Sequence, residues 1–183
     1  MPRTSRTPFV LLGLLCTRPM TGYELKTAID RSIAHFWRES YGQLYPTLRK
    51  LEHSGWVRSK AKSQRGRARI TYAITPEGRA ELLGWLREAP SPSPPRNELL
   101  LKIFFGRFAG DGVIEALLKE ASRTAKQEVE MIGSIARELE DKESEAPELR
   151  YWRMTLELGR RIAQVRHAWA QHALRELTKG REA

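Results

Sequence analysis

Gln43, Arg49, Lys50 and His53 lie along one side of residues 40–57, while Leu44, Leu48 and Leu51 fall at i, i+4 and i+7 on the other. That spacing puts the leucines on one helical face. One side is therefore apolar and buried, and the other offers an amide, two cations and an imidazole to whatever lies outside. Lys60, Lys62, Arg65, Arg67 and Arg69 follow directly, flanking Gly66. After them Ile70, Tyr72 and Ile74 alternate with Thr71 and Ala73, the period of a half-buried strand. The chemistry available here is recognition. A primary amide can pair with an adenine edge and a guanidinium or ammonium with guanine, and clustered cations attract phosphate. A helix with an outward polar face followed by a basic hairpin is the layout of a winged helix-turn-helix.

Residue types that carry catalysis or metal binding are sparse. Of 183 residues, one is cysteine, Cys16, and four are histidine. No internal disulfide is possible, and Cys16, inside an apolar run, reads as a small buried hydrophobe. His167 and His172 are five apart, wrong for one helical face, so no zinc site is expected. No phosphate-binding or dinucleotide glycine pattern occurs. We expect no cofactor and no enzymatic activity.

The charge is uneven. Residues 1–89 hold 16 Lys and Arg against 7 Asp and Glu, whereas the rest hold 16 against 15, so nearly all of the net +10 sits in the first half. Such a field suits a polyanion. Hydrophobic content of 40% is enough for a core, and no run approaches a membrane span. The apolar run Phe9 to Cys16 is too short for a signal peptide, so a cytoplasmic location is expected.

The elements that must hold the candidate residues can be read from their punctuation. Thr7-Pro8 opens a helix to about Thr17, apolar on most sides, and Thr21 with Glu24 forms a capping box for a second helix to about Ser32. Ser40 with Gln43 reads as another box, opening a helix from about Tyr41 to Ser54. Pro46 in that helix requires either a start near Gly42 or a distorted first turn. Thr75-Pro76-Glu77-Gly78 caps a fourth helix with Leu82, Leu83 and Leu86 inward. Four prolines within residues 90–95 then mark a linker. Asn97 caps a short apolar helix. A long helix follows from Gly112 to about Lys142, with Leu117, Ala121, Val129, Ile132, Ala136 and Leu139 inward. A last one runs from about Glu148 to Thr178. That helix carries two apolar stripes, one through Leu149, Trp152, Leu156, Gly159, Ala163 and Leu174, the other through Met154, Leu158, Ile162, Val165 and Trp169. Two stripes require two partners: the preceding helix, and a second copy of the chain.

The expected fold is mainly α with a small two-stranded β-wing. It comprises a winged helix-turn-helix over 1–89, a Pro-rich linker over 90–96 and a helical dimerisation or effector domain over 97–183. Double-stranded DNA is the expected partner. The candidate contacts are Thr21, Tyr23 and Lys26 on the second helix, Ser40, Tyr41, Gln43, Tyr45, Thr47, Arg49 and Lys50 on the third, and Lys62, Arg65, Arg67 and Arg69 on the wing. Candidate dimer contacts are Trp152, Leu156, Leu158, Ile162, Val165 and Trp169.

Thr21-Gly22-Tyr23-Glu24-Leu25, the run Gly42-Gln43-Leu44-Tyr45-Pro46-Thr47-Leu48, Leu51-Glu52, Gly55-Trp56-Val57 and Tyr72-Ala73-Ile74-Thr75-Pro76-Glu77-Gly78 together resemble the PadR family of bacterial transcription regulators. The likeness spans roughly the first ninety residues, with weaker motifs beyond. It implies a homodimeric, sequence-specific regulator, most often a repressor on an inverted-repeat operator, and a small aromatic effector. Phe36, Trp37, Trp85, Trp152 and Trp169 are candidate walls for such a ligand, with core packing as their alternative role. An interaction protein that uses DNA only as an anchor, with little sequence specificity, is the competing function.

Overall fold

A computed structural model describes residues 6–37, 41–64, 67–91, 96–140 and 147–182; the side chains at 41, 62–64, 67, 68, 140 and 180–182 are outside that description. The chain divides into two compact units, Met1–Ser91 and Pro92–Ala183.

The first unit runs α1 (Thr7–Thr17), β1 (Met20–Thr21), α2 (Gly22–Ser32), a 3-10 turn (Tyr41–Gln43), α3 (Leu44–His53), β2 (Val57–Gln64), β3 (Arg67–Ile74) and α4 (Pro76–Arg87). Its core gathers Leu11, Leu12 and Leu15 of α1, Leu25 and Ile29 of α2, and Leu44, Leu48 and Leu51 of α3, with Met20, Val57, Tyr72 and Leu82. The three α3 leucines thus bury the face that their spacing implies. Truncating a fully buried one such as Leu48 to alanine would cost about 2–5 kcal/mol.

Local details differ from the sequence reading in physically simple ways. The helical stretch of α1 starts at Thr7, with Arg6 as its N-cap and no side-chain cap bond. Proline lacks only an N–H that the first turn leaves unpaired anyway, so the start is underdetermined by one residue. The conflict at Pro46 is resolved by a 3-10 turn that delays α3 until Leu44 and leaves Pro46 in its first turn. The N-cap is Gln43 with no side-chain cap bond, and Ser40, the expected capping residue, lies outside the described residues. On α4, Leu82 is buried but Leu83 and Leu86 are exposed. The expected two-stranded wing gains a third strand: β1 pairs antiparallel with β3, Met20 opposite Tyr72 and Thr21 opposite Thr71, in the order β1-β3-β2.

The second unit runs α5 (Glu98–Phe104), a 3-10 turn (Gly106–Phe108), α6 (Asp111–Glu140) and α7 (Leu149–Glu182). Asn97 caps α5, its side chain accepting from the Leu100 N–H at 3.2 Å. Along α7, Leu149, Leu156, Ala163 and Ala170 are buried at strict seven-residue spacing, the seam of a coiled-coil-like pair. On α6 the buried residues are Ile114, Leu118, Ser122, Ala125 and Ile132. The inward stripe is therefore rotated by one position near Leu117 and Ala121, which are only partly buried. The rotation admits Ser122, whose place among leucines a hydrophobic count passes over.

Candidate nucleic-acid interface

The presentation of α3 follows from how its two ends are fixed. At its start, Tyr45 lies against Gly22, where a Cβ would come within 2.6 Å of the tyrosine ring. At its end, Gly55 takes a left-handed conformation (φ 73°), which a glycine adopts without strain. The Thr75 hydroxyl donates to the Gly55 carbonyl at 2.7 Å, and the Thr75 N–H donates to the Trp56 carbonyl at 3.0 Å. The same hydroxyl accepts from the Gly78 N–H at 3.1 Å, capping α4. Gly78 sits directly against the Trp56 carbonyl, where no Cβ fits. The Gly55-Trp56 and Thr75-Pro76-Glu77-Gly78 segments are thus two halves of one joint, which ties the end of α3, the base of β2 and the start of α4.

With both ends fixed, Gln43, Arg49, Lys50 and His53 are exposed, opposite the buried leucines. Tyr45 is exposed as well, and Tyr23 on α2 is 74% exposed. Thr47 is a correction: it is 7% exposed, because it lies three residues after Leu44 and four before Leu51 and so shares their inward face, and it does not face an outside partner. Thr21 is a second correction. It is buried at the N-cap of α2, and its hydroxyl serves a complete capping box: it donates to the Glu24 carboxylate at 2.7 Å and accepts from the Glu24 N–H at 3.2 Å.

Glu24 closes that box by accepting from the Thr21 N–H at 2.8 Å. It also meets two guanidiniums, Arg18 at 3.1 Å and Arg69 at 3.2 Å. The Thr21 backbone hydrogen bond, then the Thr21 hydroxyl, then the two arginines outweigh desolvation and lower its pKa to about 2. Arg69, expected among the free cations of the wing, is instead joined to the start of α2. On the wing itself, register sets Lys60 opposite Thr71, Lys62 opposite Arg69 and Gln64 opposite Arg67. Arg65 and Gly66, the latter expected at the turn, lie outside the described residues, as does Ser40, and so do the side chains of Tyr41, Lys62 and Arg67.

Of the candidate effector residues, Trp85 stacks on Phe9 with ring centroids 4.6 Å apart and planes 7° apart, a packing role within the first unit. Phe36 is exposed and Trp37 half-buried at the end of α2. In the second unit Trp152 and Trp169 are exposed on α7. The row Met154, Leu158, Ile162, Val165 and Trp169 is exposed throughout, from 36% at Trp169 to 67% at Val165. Leu156, expected with them, is buried at 5% and belongs to the inward seam.

The sequence reading missed a polar layer between α6 and α7. The His167 Nδ1 lies 3.0 Å from both the hydroxyl and the carbonyl of Ser122, and the Gln171 amide donates to the Ser122 hydroxyl at 2.7 Å. Arg166 pairs with Glu128 beside it. Five residues separate His167 from His172, but four separate His167 from Gln171, and that spacing was the available signal. Lys119, Arg123 and Lys126 border an adjoining open groove, where Lys119 is paired with Glu115 and Arg123 with Glu120. Among the described residues no cluster of His, Cys, Asp or Glu could hold a metal ion, and no helix is long and apolar enough to cross a membrane.

Three helices, a hairpin and a cross-strand from the α1–α2 connection define a winged helix-turn-helix. Residues 11–83 match the transcriptional regulator PadR-like family, and residues 95–178 match the C-terminal region of virulence activator alpha. The winged-helix unit is thus similar to PadR-like domains. The chain is 44% identical over 89 residues to Rv1176c, a probable transcriptional regulator of Mycobacterium tuberculosis, covering 48% of this chain and 47% of that protein. It is 30% identical over 99 residues to the negative transcriptional regulator PadR of Bacillus subtilis, covering 53% and 54%. The chain thus spans about half the length of the curated relatives it matches. The matched family and both of these relatives are described as transcriptional regulators. Among solved structures, Bacillus subtilis PadR in complex with operator DNA aligns with a TM-score of 0.80 at 22% identity, covering 94% of this chain and 99% of that one. The same protein in complex with p-coumaric acid gives 0.75 at 21%, covering 95% and 99%. At those identities the likeness is one of fold. The Vibrio cholerae virulence activator AphA aligns at 0.74 and 26% identity, covering 94% and 98%.

Proposed function

We propose that the protein is a sequence-specific DNA-binding transcriptional regulator that acts as a homodimer. The observation that carries this is the division of α3. Its leucines are buried while Gln43, Arg49 and Lys50 are exposed together on the opposite face, beside a basic hairpin. In helix-turn-helix proteins the second helix enters the major groove and the first crosses the backbone. Gln43 then reads adenine, Arg49 or Lys50 reads guanine, and Tyr23, Lys26 and Tyr45 lie near phosphate. Lys62, Arg65 and Arg67 of the wing supply phosphate or minor-groove contacts. Each good bidentate base contact gives about 1–3 kcal/mol of discrimination.

The exposed apolar row of α7 is the dimer surface, seated on the same row of a second copy. Two-fold symmetry then sets the operator as an inverted repeat with half-sites about one turn apart. Repression is supported by the name of the Bacillus subtilis relative, and release by a small aromatic acid by the p-coumaric acid complex of that protein. A DNA-binding role supports a cytoplasmic location.

The test is a gel shift on the DNA upstream of the protein's own coding sequence, with random duplex as competitor and with and without phenolic acids. Specific retention that Gln43→Ala and Arg49→Ala weaken by about 5- to 150-fold supports the reading. Equal retention of every duplex would favour instead a protein that uses DNA only as an anchor.

A further inference from the structure

We infer that Glu24 is a positioning residue of the DNA interface, which holds Arg18 and Arg69 on the protein and so limits the sequence-independent attraction to phosphate. The inference rests on the DNA-binding reading above. The start of α2 carries a backbone N–H, the Thr21 hydroxyl and two guanidiniums, all directed at one point. A helix N-terminus with arginine forks is a donor set that elsewhere holds a phosphate. Here the protein's own carboxylate fills it. Glu24 is about three-quarters buried at the side chain, whereas Arg18 and Arg69 are each more than half exposed. The cations therefore reach solvent, but their charge is partly cancelled from within.

The position of this cluster gives it consequence. It joins three elements, the connection before α2, the N-terminus of α2 and strand β3 of the wing, and in the DNA-binding reading the first helix of the pair crosses the phosphate backbone. Arg69 also stands opposite Lys62 in the wing register. Without the carboxylate, two guanidiniums and a positive helix end would meet the backbone together. Phosphate attraction is blind to sequence and makes affinity fall with salt by about 0.9 in logarithmic slope per phosphate neutralised. One or two added contacts would steepen the slope by about 1–2.

The experiment measures fluorescence anisotropy of a labelled random duplex against salt between about 50 and 300 mM. The proteins are wild type, Glu24→Gln, Arg18→Ala with Arg69→Ala, and the triple variant. Glutamine keeps a carbonyl oxygen for the Thr21 N–H, so the cap survives while the charge is lost. The expected result is a slope steeper by about 1–2 for Glu24→Gln and binding about tenfold tighter per added contact at 0.1 M salt. The double arginine variant should keep the wild-type slope, and the triple variant should return to it. An unchanged slope in Glu24→Gln overturns the inference. So does a flattened slope in the double arginine variant, which decides the matter even if Glu24→Gln fails to fold. Wild-type protein that binds no duplex at any salt overturns the DNA-binding reading itself.

Discussion

Gly78 and Gly84 lie on the same helix, α4, and the same substitution should have opposite effects at the two. At Gly78 a Cβ would stand 2.8 Å from the Trp56 carbonyl carbon and closer still to its oxygen. Ordinary contact begins near 3.4 Å, well beyond both. The neighbour is backbone, so no rotamer change relieves the clash, and α4 must move. Moving it weakens the Thr75 N–H bond to Trp56 and the Thr75 hydroxyl bond to Gly55. Overpacking costs about 1–3 kcal/mol and each hydrogen bond about 0.5–1.5 kcal/mol. Against this stands a gain of about 1 kcal/mol from the better helix former. Gly78→Ala should therefore destabilise by roughly 1–5 kcal/mol. For a unit of this size, that is roughly 4–40 °C in melting temperature. At Gly84 a Cβ meets nothing within 4 Å, so Gly84→Ala should stabilise by up to about 1 kcal/mol. Thermal and urea unfolding followed by circular dichroism and tryptophan fluorescence compare the two. Melting of Gly78→Ala at or above that of Gly84→Ala would refute the joint between α4 and the base of β2.

Glu24 also predicts a pH response. Its folded pKa, about 2, lies below the ordinary 4.5, so its contribution is fully present above about pH 5 and is lost as pH falls towards 2. Urea midpoints should drop over that window by the equivalent of about 1–2 kcal/mol, the scale of a helix cap, and Glu24→Gln should remove most of that drop. Ser122→Ala, which takes away the hydroxyl partner of Gln171 and His167, should cost about 1 kcal/mol; a urea midpoint unmoved or raised would show that the layer adds no stability. Leu158→Glu with Val165→Glu places two charges in the exposed row of α7. Sedimentation should find this variant monomeric at micromolar concentrations where wild type is dimeric, and a monomeric wild type would remove the homodimer reading.

The winged unit was largely legible because its signals are local. Leu44, Leu48 and Leu51 announce a face, and Thr21 with Glu24 announces a cap. The joint around Gly55, Thr75 and Gly78 was visible as turn and cap residues, but its reason, the carbonyl of Trp56, depends on a contact across the fold. Strand β1 escaped because two residues after Pro19 carry no alternation and exist as a strand only through pairing with Thr71 and Tyr72. Thr47 was misassigned because it was read by polarity rather than by its angle around α3. Along α6 a stripe drawn through the larger apolar residues missed the seam by one position. Packing against α7 selects Leu118, Ser122 and Ala125, and a serine there makes sense only once His167 and Gln171 are opposite it.

The division of labour along α3 has an evolutionary consequence. The leucines that anchor the helix and the side chains that face outward share a backbone but no position. Substitutions at 43, 49 and 50 leave the core untouched and cost the scaffold little. If those residues read DNA as proposed, a duplicated copy of such a gene can drift toward a new target site one outward residue at a time, without passing through an unfolded ancestor.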